Sequence, residues 1–355
     1  MKHGAVIWQN QGVVGGGGMW LPSPDPPNVT STGSYDYDWG HLDYRVQAMR
    51  NASSAPGRMV LRLFNAPAWM CNMTSRRNLT KVGNAPLRRD RYDDFAQFCG
   101  SVAARYPDIS HYEVWNELNG FIGNWSHRHL DGMTVDGAAY TELFIKVSTA
   151  IKSVNPAAKV GGPYVPITQG QLPPGRTSEC SGKWGAIQPA LLEFVRYFVR
   201  SAKGHYDFFS MDGHLASESY EVNGKHYSRP ANNDALGSTE IFPAATKWVR
   251  EQSGLDASIP IWWSEFYPVP CVDTGMYGPS GKLWPLEMQL AVYHKMVKEI
   301  SKPSLGVEVA LNWAAMAGPN CVVGVYNDTS QPNGGLPTPF YEVIKNINQK
   351  NVWAQ

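Results

Sequence analysis

Two apolar rhythms alternate along the chain. Compact apolar runs at residues 58–64, 111–116, 159–164, 206–211, 259–264 and 306–313 have the length and aromatic or β-branched content of buried strands. Between them, windows at 39–51, 92–106, 138–154, 189–202, 240–253, 286–300 and 340–348 space their apolar residues three and four apart, as amphipathic helices do. Leu42, Val46 and Met49 form such a stripe in the first window, and Phe95, Phe98 and Val102 in the second. Residues 5–8 make a further short strand candidate, ahead of a glycine tract at 15–18 and a proline-rich stretch.

Strands alternating with helices from end to end predict a parallel α/β architecture. A repeat of about 40–50 residues suits a (β/α)8 TIM barrel better than a doubly wound sheet, which would place a glycine-rich phosphate loop after its first strand. The tract at 15–18 does not match that loop and reads as flexible connection. Seven strands are visible and the first barrel strand is not identified; it lies either upstream of Met1 or within the irregular residues 1–37. No stretch is rich enough in proline, serine or charge to serve as a linker, so residues 1–355 are expected to form one domain.

Composition narrows the partners. The 355 residues carry 31 Lys+Arg against 30 Asp+Glu, a net charge of +1, with 17% charged, 43% hydrophobic and 12% aromatic residues. So balanced a chain has no field to draw nucleic acid or an anionic membrane, and no apolar run approaches the length of a membrane span. Abundant aromatic residues suit a neutral ligand surface, and nothing requires an oligomer, so a monomer is expected. The N-terminal residues lack a long apolar core or cleavage site, so no signal peptide is expected in this chain. Six sequons, at Asn28, Asn51, Asn72, Asn78, Asn124 and Asn327, stand where chance would give roughly two, and predict a secreted glycoprotein. Five cysteines without a CxxC pair disfavour zinc and allow up to two disulfides. Cys180–Cys271 or Cys271–Cys321 would brace the loops that follow the strands.

Two strands end in the same way. His111-Tyr112-Glu113-Val114-Trp115-Asn116-Glu117 closes an apolar run with Asn-Glu, and Ile261-Trp262-Trp263-Ser264-Glu265-Phe266-Tyr267 closes another with a glutamate among aromatics. In a parallel barrel the C-terminal strand ends converge on one mouth, where catalytic side chains sit. Paired carboxyls there can split a glycosidic bond, with retention at a separation of about 5–5.5 Å and inversion at about 6.5–9.5 Å. Exposed glutamates that merely terminate strands are the bland alternative, weakened by the repetition in two aromatic settings.

These motifs resemble glycoside hydrolase clan A, and the run Glu-Val-Trp-Asn-Glu-Leu-Asn at residues 113–119 is similar to that of the β-xylosidase/α-iduronidase family and its endo-acting relatives. The resemblance implies a retaining mechanism in which Glu117 is the acid/base, Asn116 meets the sugar 2-hydroxyl and Glu265 is the nucleophile, with no metal or organic cofactor. Ala66-Pro67-Ala68-Trp69 resembles the clan's Pro-x-Trp substrate loop, with Asn65 standing where many relatives carry His. Asp212-Gly213-His214 resembles the sixth strand in altered form, making His214 a candidate contact of the nucleophile, although Asp212 could join the carboxylate pair instead. Leu311-Asn312-Trp313 resembles the eighth strand, whose Trp313 would floor the subsite, and Tyr267 follows the nucleophile. The expected substrate is a β-linked oligo- or polysaccharide. A transglycosylase at the same site, or a carbohydrate-binding protein on a degenerate barrel, stand as alternatives.

Overall fold

The computed structural model describes residues 9–12, 28–29, 35–52, 58–66, 68–71, 87–123, 133–167, 169–170, 177–213, 215, 218–222, 225–229, 234–267, 286–312, 324–327 and 332–349. These fall into two compact units, one formed by Met1–Gly123, Val135–Val165 and Tyr197–Ser210, the other by Asn124–Thr134, Pro166–Arg196 and Met211–Gln355.

In the first unit the sheet order is β1 (Gln9–Gly12), β2 (Met59–Leu63), β3 (His111–Val114), β4 (Lys159–Ile167) as far as Val165, and the opening half of β5 (Phe208–Gly213). β1 pairs in parallel with β2, β2 with β3, and β3 with β4. Helix α1 (Gly40–Ala52) separates β1 from β2, and α2 (Tyr92–Arg105) separates β2 from β3. The third crossover is α3 (Gly137–Val154), which starts where the Asp136 carboxylate accepts from the Ala139 amide at 3.0 Å, the ordinary N-cap bond. Phe95, Phe98, Cys99 and Val102 of α2 are buried, as are Leu143, Phe144, Val147 and Ile151 of α3, so the three-and-four spacing in the sequence marks the packed faces. A Cβ on Gly161 of β4 would lie 2.0 Å from Phe208 of β5, so only glycine admits that ring against the strand.

In the second unit the closing half of β5 is followed in the sheet order by β6 (Ile261–Phe266) and β7 (Val307–Asn312). β6 and β7 are parallel, with irregular register between Trp263 and Phe266. Helix α4 (Pro189–Ser201) leads into β5, α5 (Ile241–Gln252) into β6, and α6 (Leu286–Ile300) into β7, while α7 (Pro339–Gln349) closes the chain. An antiparallel hairpin, Glu218–Val222 with Lys225–Arg229, follows β5.

Every predicted helix forms within a residue or two of its expected bounds, and strand and helix alternate as a (β/α)8 fold requires. The first strand lies within the irregular residues 1–37, one of the two places the sequence left open. Residues 5–8 lie outside the described residues, and pairing with β2 is made by Gln9–Gly12. Gln-Asn-Gln-Gly has no apolar alternation to betray a strand, and it is recognised by its parallel pairing with β2. Seven strands of the parallel sheet are present among the described residues.

Cys71, Cys99 and Cys180 are buried free thiols, so the expected Cys180–Cys271 bridge is not formed in this structure. Cys271 and Cys321 lie outside the described residues. Among the described residues no helix is long and apolar enough to cross a membrane.

Candidate active site

In the first unit β3 ends at Val114, and the chain then turns abruptly. Trp115, Glu117 and Leu118 all take left-handed backbone conformations, with φ of 71°, 47° and 55°. Each costs roughly 1–2 kcal/mol for a residue bearing a Cβ, so three within four positions must be held by their surroundings. Those surroundings are visible. The Trp115 amide donates to the Leu63 carbonyl at 3.1 Å, its indole Nε1–H donates to the Asn119 carbonyl at 2.7 Å, and its ring meets Phe64, Phe95 and Phe121 edge-on. The turn leaves Asn116 buried and Glu117 half-buried. A carboxyl set this way on a braced turn keeps access to ligand while its backbone is held.

The Asn116 amide is fixed from β2. Arg62 Nη1 donates to Asn116 Oδ1 at 2.6 Å and to the Tyr164 hydroxyl at 2.9 Å, with its guanidinium 5.5 Å from the Tyr164 ring centre. Tyr164, on β4, is itself left-handed at φ 53°, and its amide donates to Ser210 Oγ at 3.0 Å. Glu113, fully buried, is the register partner of Arg62 across the β2–β3 pair. Neither Arg62 nor Tyr164 was singled out from the sequence. The signal was there in Arg62, a cation in the middle of the apolar run Met-Val-Leu-Arg-Leu-Phe, since a buried strand tolerates such a group only with partners.

Asn65 stands half-buried just past β2. Trp69 is buried against Tyr35, ring centres 5.0 Å apart, and beneath Arg91, 5.5 Å from its centre. Its indole N–H has no hydrogen-bond partner among the described residues. Trp69 thus has two side chains against its ring.

In the second unit β6 is buried along its whole length. Trp263 and Phe266 both pack on Phe242 of α5, with ring centres 5.1 and 4.9 Å away, although they are three residues apart. The irregular register between them absorbs the odd residue, and Glu265 turns away from the helix. On β5 a Cβ at Gly213 would collide with Trp263 and Phe242, which places Gly213 on the helix side and its neighbour Asp212 on the other. The outcome is that carboxylate oxygens of Asp212 and Glu265 lie within 4.8 Å of each other, with exposures of 1% and 8%. The Tyr267 amide donates to the Gly213 carbonyl at 3.4 Å, tying the two strand ends together. Two carboxylates by themselves do not select a cation. His214 and Trp313 lie outside the described residues.

Other nucleophiles are disfavoured. Burial pushes the Cys71 and Cys180 thiols up to about 12 and raises Cys99 well above its ordinary value, so none is a thiolate near neutral pH. Burial, helped by the Lys159 ammonium, lowers His111 to about 4. It opens β3, at the opposite end of the strand from the Asn116–Glu117 turn.

No protein-family model matches the chain, and no curated protein does. Solved structures match it over most of its length. A monomeric β-xylosidase from Caulobacter crescentus shares 16% identity at a TM-score of 0.57, covering 90% of this chain and 58% of that one. A family 39 glycoside hydrolase from Xanthomonas axonopodis pv. citri shares 19% at 0.53, covering 88% and 55%. A β-glucosidase from Thermotoga maritima, solved with azafagomine, shares 11% at 0.59, covering 98% and 84%. The chain thus spans less than two thirds of the length of the first two. These neighbours are clan A glycosidases, as the strand-end motifs lead one to expect, and they establish the (β/α)8 fold.

Proposed function

We propose that this protein is a retaining glycoside hydrolase acting on a β-linked oligo- or polysaccharide. The observation that carries the reading is the pair of strand-end glutamates on a glycosidase fold. Glu117 is half-buried on a strained, braced turn after β3, and Glu265 is buried at the end of β6 beside a second carboxyl. In this reading Glu265 attacks the anomeric carbon while Glu117 protonates the departing oxygen. Glu117 then takes a proton from water, which opens the glycosyl-enzyme with net retention. Retention requires the Glu117 and Glu265 carboxyls to stand about 5–5.5 Å apart. Asn116 would donate to the sugar hydroxyl next to the reacting carbon, and Asn65, Tyr267, His214, Trp69 and Trp313 are proposed substrate contacts. Of these Trp69 has the weakest support, because it is buried with its ring against Tyr35 and Arg91.

The test is a panel of aryl β-glycosides with Glu265→Ala as control. Wild-type protein is expected to release the aryl group with retained configuration at the sugar. Glu265→Ala should lose at least about 10³-fold in kcat and recover part of it with azide, forming the glycosyl azide of inverted configuration. A wild-type level in Glu265→Ala, or an inverted product from the wild type, would end the assignment.

The protein is further proposed to be a secreted glycoprotein. Asn28 and Asn51 are exposed and Asn327 is half-buried, as acceptor sites at a surface should be. Protein from a secreting eukaryotic host should lose mass on endoglycosidase treatment; an unchanged mass would dismiss the proposal.

A further inference from the structure

The outer face of α1 differs from an ordinary solvent-facing helix surface. Leu42, Val46 and Met49 are buried, while His41, Tyr44, Gln47, Ala48 and Asn51 are all exposed. Residues three and four apart are neighbours on a helix, so the exposed ones form one continuous band. Such bands are usually charged, yet this one holds no Asp, Glu, Lys or Arg, and Tyr44 stands 77% exposed in its middle. A single exposed tyrosine would be ordinary; what sets this one apart is the end of its band. Asn51 is the acceptor of the sequon Asn51-Ala52-Ser53 and lies in the last turn of α1. Gln47 Nε2 donates to Asn51 Oδ1 at 2.9 Å, which leaves Nδ2, the atom that carries a glycan, outside that bond. Helix side chains lean toward the N-terminus, so a group joined to Asn51 starts out over Gln47 and Ala48, in the direction of Tyr44. Seven residues of helix separate Tyr44 from Asn51 by about 10.5 Å along the axis, which two linked sugar rings can span.

We propose that Asn51 carries an N-linked glycan whose first two sugars lie back along α1, the second stacking on the ring of Tyr44. The placement rests on the secreted-glycoprotein reading and is independent of the glycosidase one. In the transfer, the bond from Asn51 Nδ2 to the sugar C1 forms as the C1–O bond to a lipid-linked diphosphate donor breaks, and one amide proton leaves with the diphosphate. A sugar ring offers a neutral, apolar C–H face, which an aromatic ring accepts, and a band without charges has no ion to desolvate beneath it. Ala48, with only a methyl group, leaves room under the first sugar.

The experiment uses the full chain from a secreting eukaryotic host that makes high-mannose glycans. Peptide masses give the occupancy of Asn51, and peptide mapping after tetranitromethane gives the rate at which Tyr44 is nitrated. Three forms are compared: intact, trimmed by endoglycosidase to one sugar per site, and Ser53→Ala, which removes the sequon but keeps Asn51 and its bond to Gln47. Tyr44 should be nitrated at least about threefold more slowly in the intact protein than in Ser53→Ala, the protection expected if the stacked state is favoured as an aromatic pair is. Trimming should abolish most of that protection, because the second sugar is the one that reaches the ring. The N-acetyl methyl resonance of the second sugar should lie upfield in the intact protein and return to its ordinary position in Tyr44→Ala, a change at an exposed site that leaves the fold in place. An unoccupied Asn51 beside occupied sequons elsewhere would overturn the placement and spare the glycoprotein reading; no glycan at any sequon would overturn both. An occupied Asn51 with equal nitration rates and an unshifted methyl would mean that the glycan points into water, and would also overturn it. So would nitration of Tyr44 in Ser53→Ala that slows as protein concentration rises, since a second copy of the chain would then be what covers the band.

Discussion

Gly213→Ala puts the packing that presents Asp212 and Glu265 to a direct test. A Cβ at this position would lie 2.6 Å from Trp263 Cζ3 and 3.1 Å from Phe242 Cε1. Carbon atoms in contact settle at about 3.5–4.0 Å, so the indole must retreat by about 1 Å. It has little room to do so. Its Nε1–H donates to Thr246 Oγ1 at 3.1 Å, and Phe242 meets it edge-on with ring centres 5.1 Å apart. Overpacking of this kind costs about 1–3 kcal/mol, and losing the buried Trp263–Thr246 bond adds about 1 kcal/mol. The expected loss is therefore about 2–4 kcal/mol, seen as a lower urea midpoint at unchanged slope in tryptophan fluorescence. Trp263→Leu removes the indole that the new methyl would strike hardest and leaves only the milder approach to Phe242, so in that background the added cost of Gly213→Ala should fall below about 1 kcal/mol. A midpoint unchanged by Gly213→Ala alone, or a cost just as large without the indole, would refute the account of how β5 and β6 set their carboxyls on the face away from α5.

Two further outcomes follow from the charges. Asp212→Asn keeps the side-chain volume but replaces a carboxyl within 4.8 Å of Glu265 by a neutral amide, so the acid limb of kcat/KM should move to lower pH. An unmoved limb would mean that the two carboxyls do not titrate together. His111 is held near 4 by burial and Lys159, while an unfolded chain charges its histidines near 6.5. Between those values the unfolded chain binds a proton that the native one does not, so stability declines as pH falls from about 6.5 toward 4. His111→Gln should flatten that decline by on the order of 1–2 kcal/mol, a figure reduced for the ring's partial exposure, as read by urea unfolding at pH 7.5 and 4.5. Equal acid sensitivity in both proteins would place the proton uptake elsewhere.

Much of the site was legible because its signals are local. An apolar strand that stops at Asn-Glu, or at Glu among aromatics, announces a polar group at a strand end, and the repeating units announce which end that is. What was not legible depends on partners distant in sequence. Arg62 could be seen as an anomaly within an apolar run, but the reason for it lies at Asn116 and Tyr164. Asp212 was seen as an alternative to His214, and simple alternation would have put Glu265 on the face of Trp263. The register shift in β6 reverses that expectation, and no pattern in Ile-Trp-Trp-Ser-Glu-Phe reveals it. Trp69 looked equally suited to ligand or core, because a tryptophan at a strand end has the same neighbours in sequence either way.

Periodicity was sufficient to identify the helices and six of the seven parallel strands, since burying one face of each element imposes its own spacing on the residues of that element alone. It was insufficient for β1, whose Gln-Asn-Gln-Gly is recognised by its pairing with β2. The left-handed turn at Trp115–Leu118, the direction of the Asn116 amide and the meeting of Asp212 with Glu265 belong to the folded chain only. Each is a compromise among segments tens of residues apart, and such compromises exist only once those segments have been packed together.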